Sequence, residues 1–273
     1  MAHDGIWTPE TVSRFWDQVG NAPHRQEVCF SRLCHKGLLQ FLRSSGSLRS
    51  NSSVLDYGCG PGFLLQPLMA EKVFCHAVDA SPDQVALVNN KFKAQPYWKG
   101  AKAGFHPPLP FADNSFDLII CVEVLEHLLP DLADAFPKEI YRLLRPGGRA
   151  MFTTPNNENL DRAMVFCPFC ETQFHRRQHV RSMNSADLSR SLQALGFKVI
   201  FCEGLDFEQL QSSLRRITWK SWNIRFLSTC LRLLSKRWMD CLSRASFPHS
   251  RAFRYRAGCK PDAPHLCALV EKL

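Results

Sequence analysis

The fold is decided by residues 54–62, VLDYGCGPG, together with residues 78–81, VDAS. The apolar start of the first stretch predicts a buried strand, and its three glycines let the backbone turn sharply against a ligand. A helical pattern follows over residues 63–71, so the glycine loop lies where a strand gives way to a helix N-terminus. Asp79 ends a second apolar strand, where a carboxylate can accept both hydroxyls of a ribose. The two stretches therefore predict a site for a nucleoside cofactor.

The spacing of the glycines argues against a dinucleotide fingerprint, because Phe63 occupies the last glycine position of G-x-G-x-x-G. An acidic residue also stands two positions before the first glycine, where a phosphate-binding loop would avoid negative charge. This D-x-G-x-G pattern resembles the glycine loop of class I S-adenosylmethionine-dependent methyltransferases, whose donor carries an ammonium and a sulfonium but no phosphate. The resemblance implies a donor site formed by Asp56, Gly58, Gly60, Gly62 and Asp79.

Three further segments match that family in the same order along the chain. LPFADNSFD at residues 109–117 and LLRPGG at residues 143–148 each precede a predicted strand, and EVLEHL stands at residues 123–128. Four ordered motifs are far more specific than a lone glycine loop. The resemblance implies methyl transfer from S-adenosylmethionine. A non-catalytic binding module on the same fold is an alternative, since a fold alone does not establish a function.

Predicted strands and helices alternate from residue 52 to residue 203, which indicates a parallel sheet with helices on both faces. The resemblance implies a doubly wound, Rossmann-like α/β domain with seven mostly parallel strands. Its last strand is expected to be antiparallel and hairpin-related to the sixth. The predicted strands cover residues 52–57, 73–78, 96–100, 117–122, 148–154, 197–203 and 265–272.

The remaining segments are predicted to be additions to this core. Two helices, starting at Thr8-Pro9-Glu10 and at about residue 24, form an N-terminal cap, the second running to about residue 44. The predicted divisions are a cap (1–50), a donor-binding core (51–203) that contains a Cys/His loop (155–182), a basic helical insertion (204–264) and a final core strand (265–273).

The positive charge is concentrated in that insertion. The chain has a net charge of +9, and residues 211–260 hold twelve Lys or Arg against one acidic residue, so the rest of the chain is slightly acidic. Apolar residues recur there at helical spacing, with three tryptophans. A basic amphipathic helix of this kind fits an anionic membrane surface. It also fits an RNA backbone or a solvated face of a helical cap, and the sequence leaves the three open.

The twelve cysteines are scattered through predicted strands and helices and do not form a disulfide framework. No apolar run approaches the length of a membrane span, and residues 1–9 lack the pattern of a signal peptide. We therefore expect a cytoplasmic protein with reduced thiols. The basic insertion adds the alternative of peripheral attachment at the inner membrane face.

Residues 167–179 contain the pattern C-x2-C-x4-H-x3-H. Two thiolates at this spacing can hold one ion, and histidines four apart share a helix face. The pattern predicts a structural Zn²⁺ that orders a loop of the acceptor pocket, with the ligands Cys167, Cys170, His175 and His179.

A rival metal assignment comes from a weaker resemblance. E-x-x-E-H at residues 123–127, then TPN at residues 154–156 and QH at residues 178–179, resembles the small-RNA 3′-terminal 2′-O-methyltransferases. That resemblance implies a divalent metal held by Glu123, Glu126, His127 and His179, and RNA as the acceptor. The residues after His179 depart from that family, which puts RNA second to a small-molecule or lipid-like acceptor.

Glu126 and His127 are also the candidate catalytic residues. Attack of an acceptor oxygen on the donor methyl creates an acidic proton, which an imidazole can accept. The alternative is that the Glu-His pair only orients the next helix. The four core motifs most resemble the small-molecule group of the superfamily, including quinone-pathway members, so we expect O- or C-methylation of a small or lipid-like acceptor.

Overall fold

The computed structural model describes residues 7–212 and 259–273. The helices in these ranges are α1 (Pro9–Gly20), α2 (Pro23–Glu27), α3 (Phe30–Ser44), α4 (Leu65–Met69), α5 (Pro82–Phe92), α6 (Leu132–Leu143) and α7 (Ser185–Ala194). The strands are β1 (Ser53–Tyr57), β2 (Phe74–Asp79), β3 (Trp98–Ala103), β4 (Phe116–Val122), β5 (Leu144–Pro155), β6 (Met164–Phe166), β7 (Gln173–His175), β8 (Phe197–Leu205) and β9 (His265–Lys272). Residues 207–212 are also helical.

Seven of these strands form one sheet in the order β3-β2-β1-β4-β5-β9-β8. β9 runs antiparallel to both of its neighbours, and the other pairings are parallel. The strand order reverses at β1, where β2 and β4 lie on either side, and this is the crevice in which doubly wound folds bind ligands. The predicted seven-stranded, mostly parallel α/β fold is confirmed, including the antiparallel last strand.

Apolar residues on both faces of the sheet explain why it is covered by helices on both sides. Consecutive residues of β1 point into different clusters: Val54 packs toward α3, α4 and α5, and Leu55 packs toward α6 and α7. Both are fully buried. A strand that is apolar on both faces is typical of a parallel sheet between helical layers.

The N-terminal helices agree with the sequence in part. Thr8 caps α1, with its hydroxyl accepting a hydrogen bond from the amide of Thr11 at 3.3 Å, and Pro9 occupies the first turn as predicted. The second predicted helix is instead two helices, because Cys29 has an extended backbone (φ −64°, ψ 129°) and starts α3 anew. This break places residues 28–31 beside the sheet edge.

The predicted amphipathic helix of the basic insertion lies outside the described residues. Within them, β8 continues to Leu205, two residues past its predicted end, and Phe207 and Leu210 are buried in the core. None of the helices in the described ranges is long and apolar enough to cross a membrane.

Candidate functional site

A cavity of about 480 Å³ opens at the carboxyl ends of the parallel strands. It is lined by the loop after β1, the end of β2, the segment that follows β4, and Arg176, Arg177 and His179 after β7. Side chains of α1 and residues 28–31 cover it from the other side. The cavity therefore occupies the position at which doubly wound folds bind ligands.

The glycine loop after β1 approaches the cavity with bare backbone. Gly58 and Gly60 line the cavity and have φ values of 74° and 48°, which favour glycine. A Cβ on Gly58 would lie 2.8 Å from Cγ2 of Val124, whereas a Cβ on Gly60 would meet nothing within 4 Å. Gly62 does not line the cavity, and its added Cβ would press on Leu65 and Phe92 at 3.1 Å. Gly62 thus shapes the turn, while Gly60 leaves room for a ligand.

Asp79 is held in place at the end of β2 by the glycine loop. Its Oδ2 accepts a hydrogen bond from the amide of Gly60 at 2.7 Å, and its Oδ1 accepts one from Ser81 at 2.9 Å. Each oxygen keeps a second lone pair for a ligand. Burial raises the pKa of Asp79, and the two amide hydrogen bonds oppose that shift.

Asp56 lies behind this loop and does not line the cavity. Burial, with a smaller contribution from the nearby Asp79, raises the pKa of Asp56 to about 7. Of the five predicted donor-site residues, Gly58, Gly60 and Asp79 therefore border the cavity, and Asp56 and Gly62 support the loop from within.

Glu126 and His127 end the segment after β4 in a short 3-10 turn, Leu125–His127, and both line the cavity. Oε2 of Glu126 accepts a hydrogen bond from the Thr154 hydroxyl at 2.9 Å, and its Oε1 lies 3.7 Å from Nε2 of His127. Burial raises the pKa of Glu126 well above its usual value, and burial together with His179 lowers the pKa of His127 to about 3. At neutral pH the ring of His127 is therefore uncharged.

Helix α1 covers this pair. The ring of Trp16 meets that of His127 edge-on at 4.6 Å between centroids, and its Nε1 donates to Oε1 of Gln178 at 3.1 Å. Nδ1 of His127 lies 3.3 Å from the carbonyl oxygen of Gln178. As the donor in that hydrogen bond, Nδ1 carries the proton and leaves the lone pair on Nε2.

The four predicted zinc ligands do not come together. β6 and β7 form an antiparallel hairpin in which Met164 pairs with His175, and the amide of Cys167 donates to the carbonyl of Thr172 at 2.8 Å. The cysteines therefore lie in the loop that closes the hairpin, and Cys167 is three residue pairs, or about 10 Å, along the hairpin from the Met164–His175 pair. A tetrahedral zinc site needs all four ligand atoms within about 2.0–2.3 Å of the ion. The hairpin separates the thiols from the histidines.

His175 and His179 are joined instead by Glu158, which the sequence analysis passed over. Nδ1 of His179 donates to Oε2 of Glu158 at 2.5 Å, and Nε2 of His175 lies 3.7 Å from its Oε1. Nδ1 of His175 accepts hydrogen bonds from the amides of His179 and Arg177, so the proton of its neutral ring is on Nε2. That tautomer disfavours His175 as a metal ligand. The sequence offered one signal for Glu158: this residue follows β5, whose carboxyl end lies at the sheet edge that carries the cavity.

The rival ligand set is formed in part. One atom from each of Glu126, His127 and His179 lies within 4.8 Å of the others. Glu123 belongs to a different contact: its Oε1 accepts a hydrogen bond from the Thr153 hydroxyl at 2.9 Å and lies 3.4 Å from Nδ1 of His265. Three of the four residues named by that resemblance thus converge.

We expect Glu158→Ala to lower the free energy of unfolding by about 1–3 kcal/mol, because it leaves the buried N–H of His179 without its acceptor. Urea unfolding monitored by circular dichroism measures the change. Glu171→Ala, which removes an exposed carboxylate from the hairpin loop, is the control and should leave the midpoint nearly unchanged. Equal midpoints for the two variants would contradict a stabilising role for Glu158.

Comparison with known proteins shows similarity to methyltransferases. A family model described as a methyltransferase domain matches residues 24–200. A probable S-adenosylmethionine-dependent methyltransferase of Mycolicibacterium smegmatis is 32% identical over 177 residues, which cover 64% of this chain and 58% of that protein. A ubiquinone biosynthesis O-methyltransferase of Agrobacterium fabrum is 27% identical over 197 residues, which cover 69% of this chain and 76% of that protein.

Solved structures show the same architecture. The 1,6-didemethyltoxoflavin-N1-methyltransferase of Burkholderia thailandensis superposes with a TM-score of 0.59 at 15% identity, over 98% of this chain and 91% of that one. At this identity the likeness concerns the fold. The chain spans between about half and three fifths of the length of several curated relatives that it matches.

Proposed function

The chain belongs to the class I S-adenosylmethionine-dependent methyltransferases, and from this membership we propose that it transfers a methyl group from S-adenosylmethionine to an oxygen of a small-molecule acceptor. The observation that carries the proposal is a single cavity that joins the glycine loop and Asp79 to Glu126 and His127. Its volume is within the range of small-molecule sites.

The donor half of the cavity fits the methyl donor by shape and by charge. The open space beside Gly60 admits a ligand against bare backbone, and Asp79 keeps lone pairs for two ribose hydroxyls. When bound, S-adenosylmethionine supplies a methyl carbon activated by a positively charged sulfur. Asp56, behind the loop, adds a negative charge whenever it is ionised, and this favours a cationic ligand.

The acceptor half is formed by the Glu126–His127 pair and the side chains of α1. His127 is neutral, so its Nε2 can accept a hydrogen bond from an acceptor hydroxyl and direct that oxygen. Its lowered pKa makes it a weak base, and alignment of the acceptor oxygen with the methyl carbon then supplies most of the rate. The ubiquinone and malonyl-carrier-protein relatives, both named as O-methyltransferases, support an oxygen acceptor.

We expect Gly60→Ala to weaken donor binding about tenfold or more, because its Cβ enters the space assigned to the donor. Gly46→Ala is the matched control: Gly46 also has a positive φ, 68°, and open space at its Cβ, but it lies outside the cavity. Both alanines carry a similar backbone strain of about 1 kcal/mol. Calorimetric titration of S-adenosylmethionine compares them, and equal affinities would count against this donor site.

The reaction itself is tested by incubating the protein with methyl-labelled donor and separate cell fractions of small solutes, lipid and RNA. Label in the small-solute fraction supports the proposal. Donor binding without label in any fraction would support a non-catalytic binding module. An absence of donor binding would rule out the proposed donor site.

A second candidate, metal-dependent methylation of an RNA ribose, is supported by the convergence of Glu126, His127 and His179. Label that appears only in the RNA fraction, and only with added Mg²⁺ or Mn²⁺, would favour it over the first.

A further inference from the structure

Two arginines at the acceptor end of the cavity have no partner within the described part of the chain. Arg176 and Arg177 follow β7 and line the cavity beside His179. Their backbone amides are fixed, with Arg176 donating to the carbonyl of Ala163 at 2.9 Å and Arg177 to Nδ1 of His175 at 3.4 Å. No described side chain or carbonyl accepts a hydrogen bond from either guanidinium. Two permanent positive charges therefore face this end of the cavity.

The carboxyl groups around the cavity, as far as the structure describes them, form no ion pair with either arginine. Both oxygens of Asp79 are engaged in the donor half by the amides of Gly60 and Ser81. Glu126 is hydrogen-bonded to Thr154, and Glu123 is hydrogen-bonded to Thr153. Glu158 is hydrogen-bonded to His179. Within the described residues neither guanidinium is paired with a carboxylate, so both keep N–H donors for an anionic ligand.

Much of the remaining cavity wall is aromatic or apolar. Phe15 and Trp16 of α1, together with Phe30 and Phe105, line the cavity, and Val28 stands at its entrance with 70% of its surface exposed. Aromatic walls suit a flat apolar body, and a few polar groups then fix its orientation. The two features together describe a molecule with an apolar body and a negatively charged group.

We propose that the acceptor is a small organic oxyanion, an apolar hydroxyl-bearing molecule with a carboxylate or phosphate group, and that Arg176 and Arg177 bind this group. A guanidinium binds either oxyanion through paired N–H donors. Such binding at the mouth of the cavity fixes the end of the acceptor that does not react and directs its hydroxyl toward His127. The inference rests on the proposed function and names the substrate class for it.

The test separates the small-solute fraction by ion exchange into anionic, neutral and cationic pools and incubates each with methyl-labelled donor. We expect wild-type protein to label the anionic pool. Arg176→Gln/Arg177→Gln should lower the initial rate with that pool about tenfold or more, since charge-assisted hydrogen bonds are lost. Treating the pool with a phosphatase beforehand distinguishes the two oxyanions: loss of label indicates a phosphate, and retained label indicates a carboxylate.

The matched control is Arg162→Gln/Arg190→Gln, which removes the same charge from two exposed arginines that do not line the cavity. It should label the anionic pool at the wild-type rate, and both double variants should bind S-adenosylmethionine as wild type does. Label in the neutral or cationic pool, or equal slowing by the two double variants, would overturn the inference. If donor binds but no pool is labelled, the proposed function fails and this inference fails with it.

Discussion

Asp79→Ala is expected to weaken the binding of S-adenosylmethionine by more than about a hundredfold. The carboxylate can accept two ribose hydroxyls, and charge-assisted hydrogen bonds contribute about 1.5–3 kcal/mol each. The substitution also frees the amides of Gly60 and Ser81, so the glycine loop loses the contact that fixes it beside the cavity. Calorimetric titration of the donor into wild type and variant measures the loss.

Asp83→Ala is the control for this variant. Asp83 lies four residues further along, in the first turn of α5, is exposed, and does not line the cavity, so its removal changes the net charge equally. Its donor affinity should stay close to that of wild type. If Asp79→Ala folds normally by circular dichroism and binds the donor with wild-type affinity, Asp79 is not the ribose ligand.

The donor half of the site could be predicted because its geometry follows from local rules. A buried strand, a glycine loop and a helix start are neighbours in sequence, and parallel strands place the ends of β1 and β2 at one sheet edge. Hydrogen bonds of Gly58 and Cys59 to the carbonyl of Val78 join these two ends directly. The sequence did not show which residues of this motif line the cavity and which only hold the loop in shape. Asp56 and Gly62 belong to the motif, but neither lines the cavity.

The acceptor half depends on contacts between distant segments, and sequence spacing describes it poorly. The C-x2-C-x4-H-x3-H pattern suggested one ion site, but both cysteines lie in the loop of an antiparallel hairpin whose second strand, β7, carries the first histidine away from them. Glu158 then takes the place of the thiols beside His175 and His179. Its role is visible only once β5 and β7 are known to bring it there.

The arginines were missed for a related reason. Arg176 and Arg177 belong to a short loop without periodicity, and a pair of basic residues in a sequence usually indicates a solvated face. Their position at the cavity follows from the hydrogen bonds that fix the turn after β7. The basic insertion dominated the charge pattern of the chain, while the arginines that line the described cavity are only two, Arg176 and Arg177, and lie outside that insertion.

The variants Glu126→Gln and Glu126→Ala are expected to differ strongly in stability. In the folded protein Glu126 is 2% exposed and accepts a hydrogen bond from Thr154, and burial raises its pKa. Glutamine keeps the size and the hydrogen-bond acceptor and carries an amide in place of the carboxyl group. Alanine leaves a cavity and an unpaired Thr154 hydroxyl. We therefore expect the free energy of unfolding of Glu126→Ala to be about 2–4 kcal/mol lower than that of Glu126→Gln.

The pH dependence of unfolding gives a second measurement on the same variants. A carboxyl group whose pKa is raised in the folded state binds its proton more tightly there than in the unfolded chain. Stability is therefore greatest below the usual pKa, near 4.5, and decreases as the pH rises toward the folded-state pKa. Glu126→Gln removes this contribution, so its stability relative to wild type should increase from pH 4.5 to pH 8 in urea titrations. A constant difference would show that Glu126 is ionised when folded.

The activity of Glu126→Gln separates the two candidate functions. If Glu126 acts only as a side chain packed beside His127, glutamine keeps its size and its hydrogen bond with Thr154, and methyl transfer to the small-solute fraction should continue at a rate near that of wild type. If Glu126 binds a divalent metal as a carboxylate, the amide is a much weaker ligand, and both bound metal and activity should be lost. Metal analysis together with the labelled-donor assay decides between the two functions. Only a metal-binding Glu126 predicts that bound metal and activity are lost together. The burial of Glu126, which raises its pKa, favours the first.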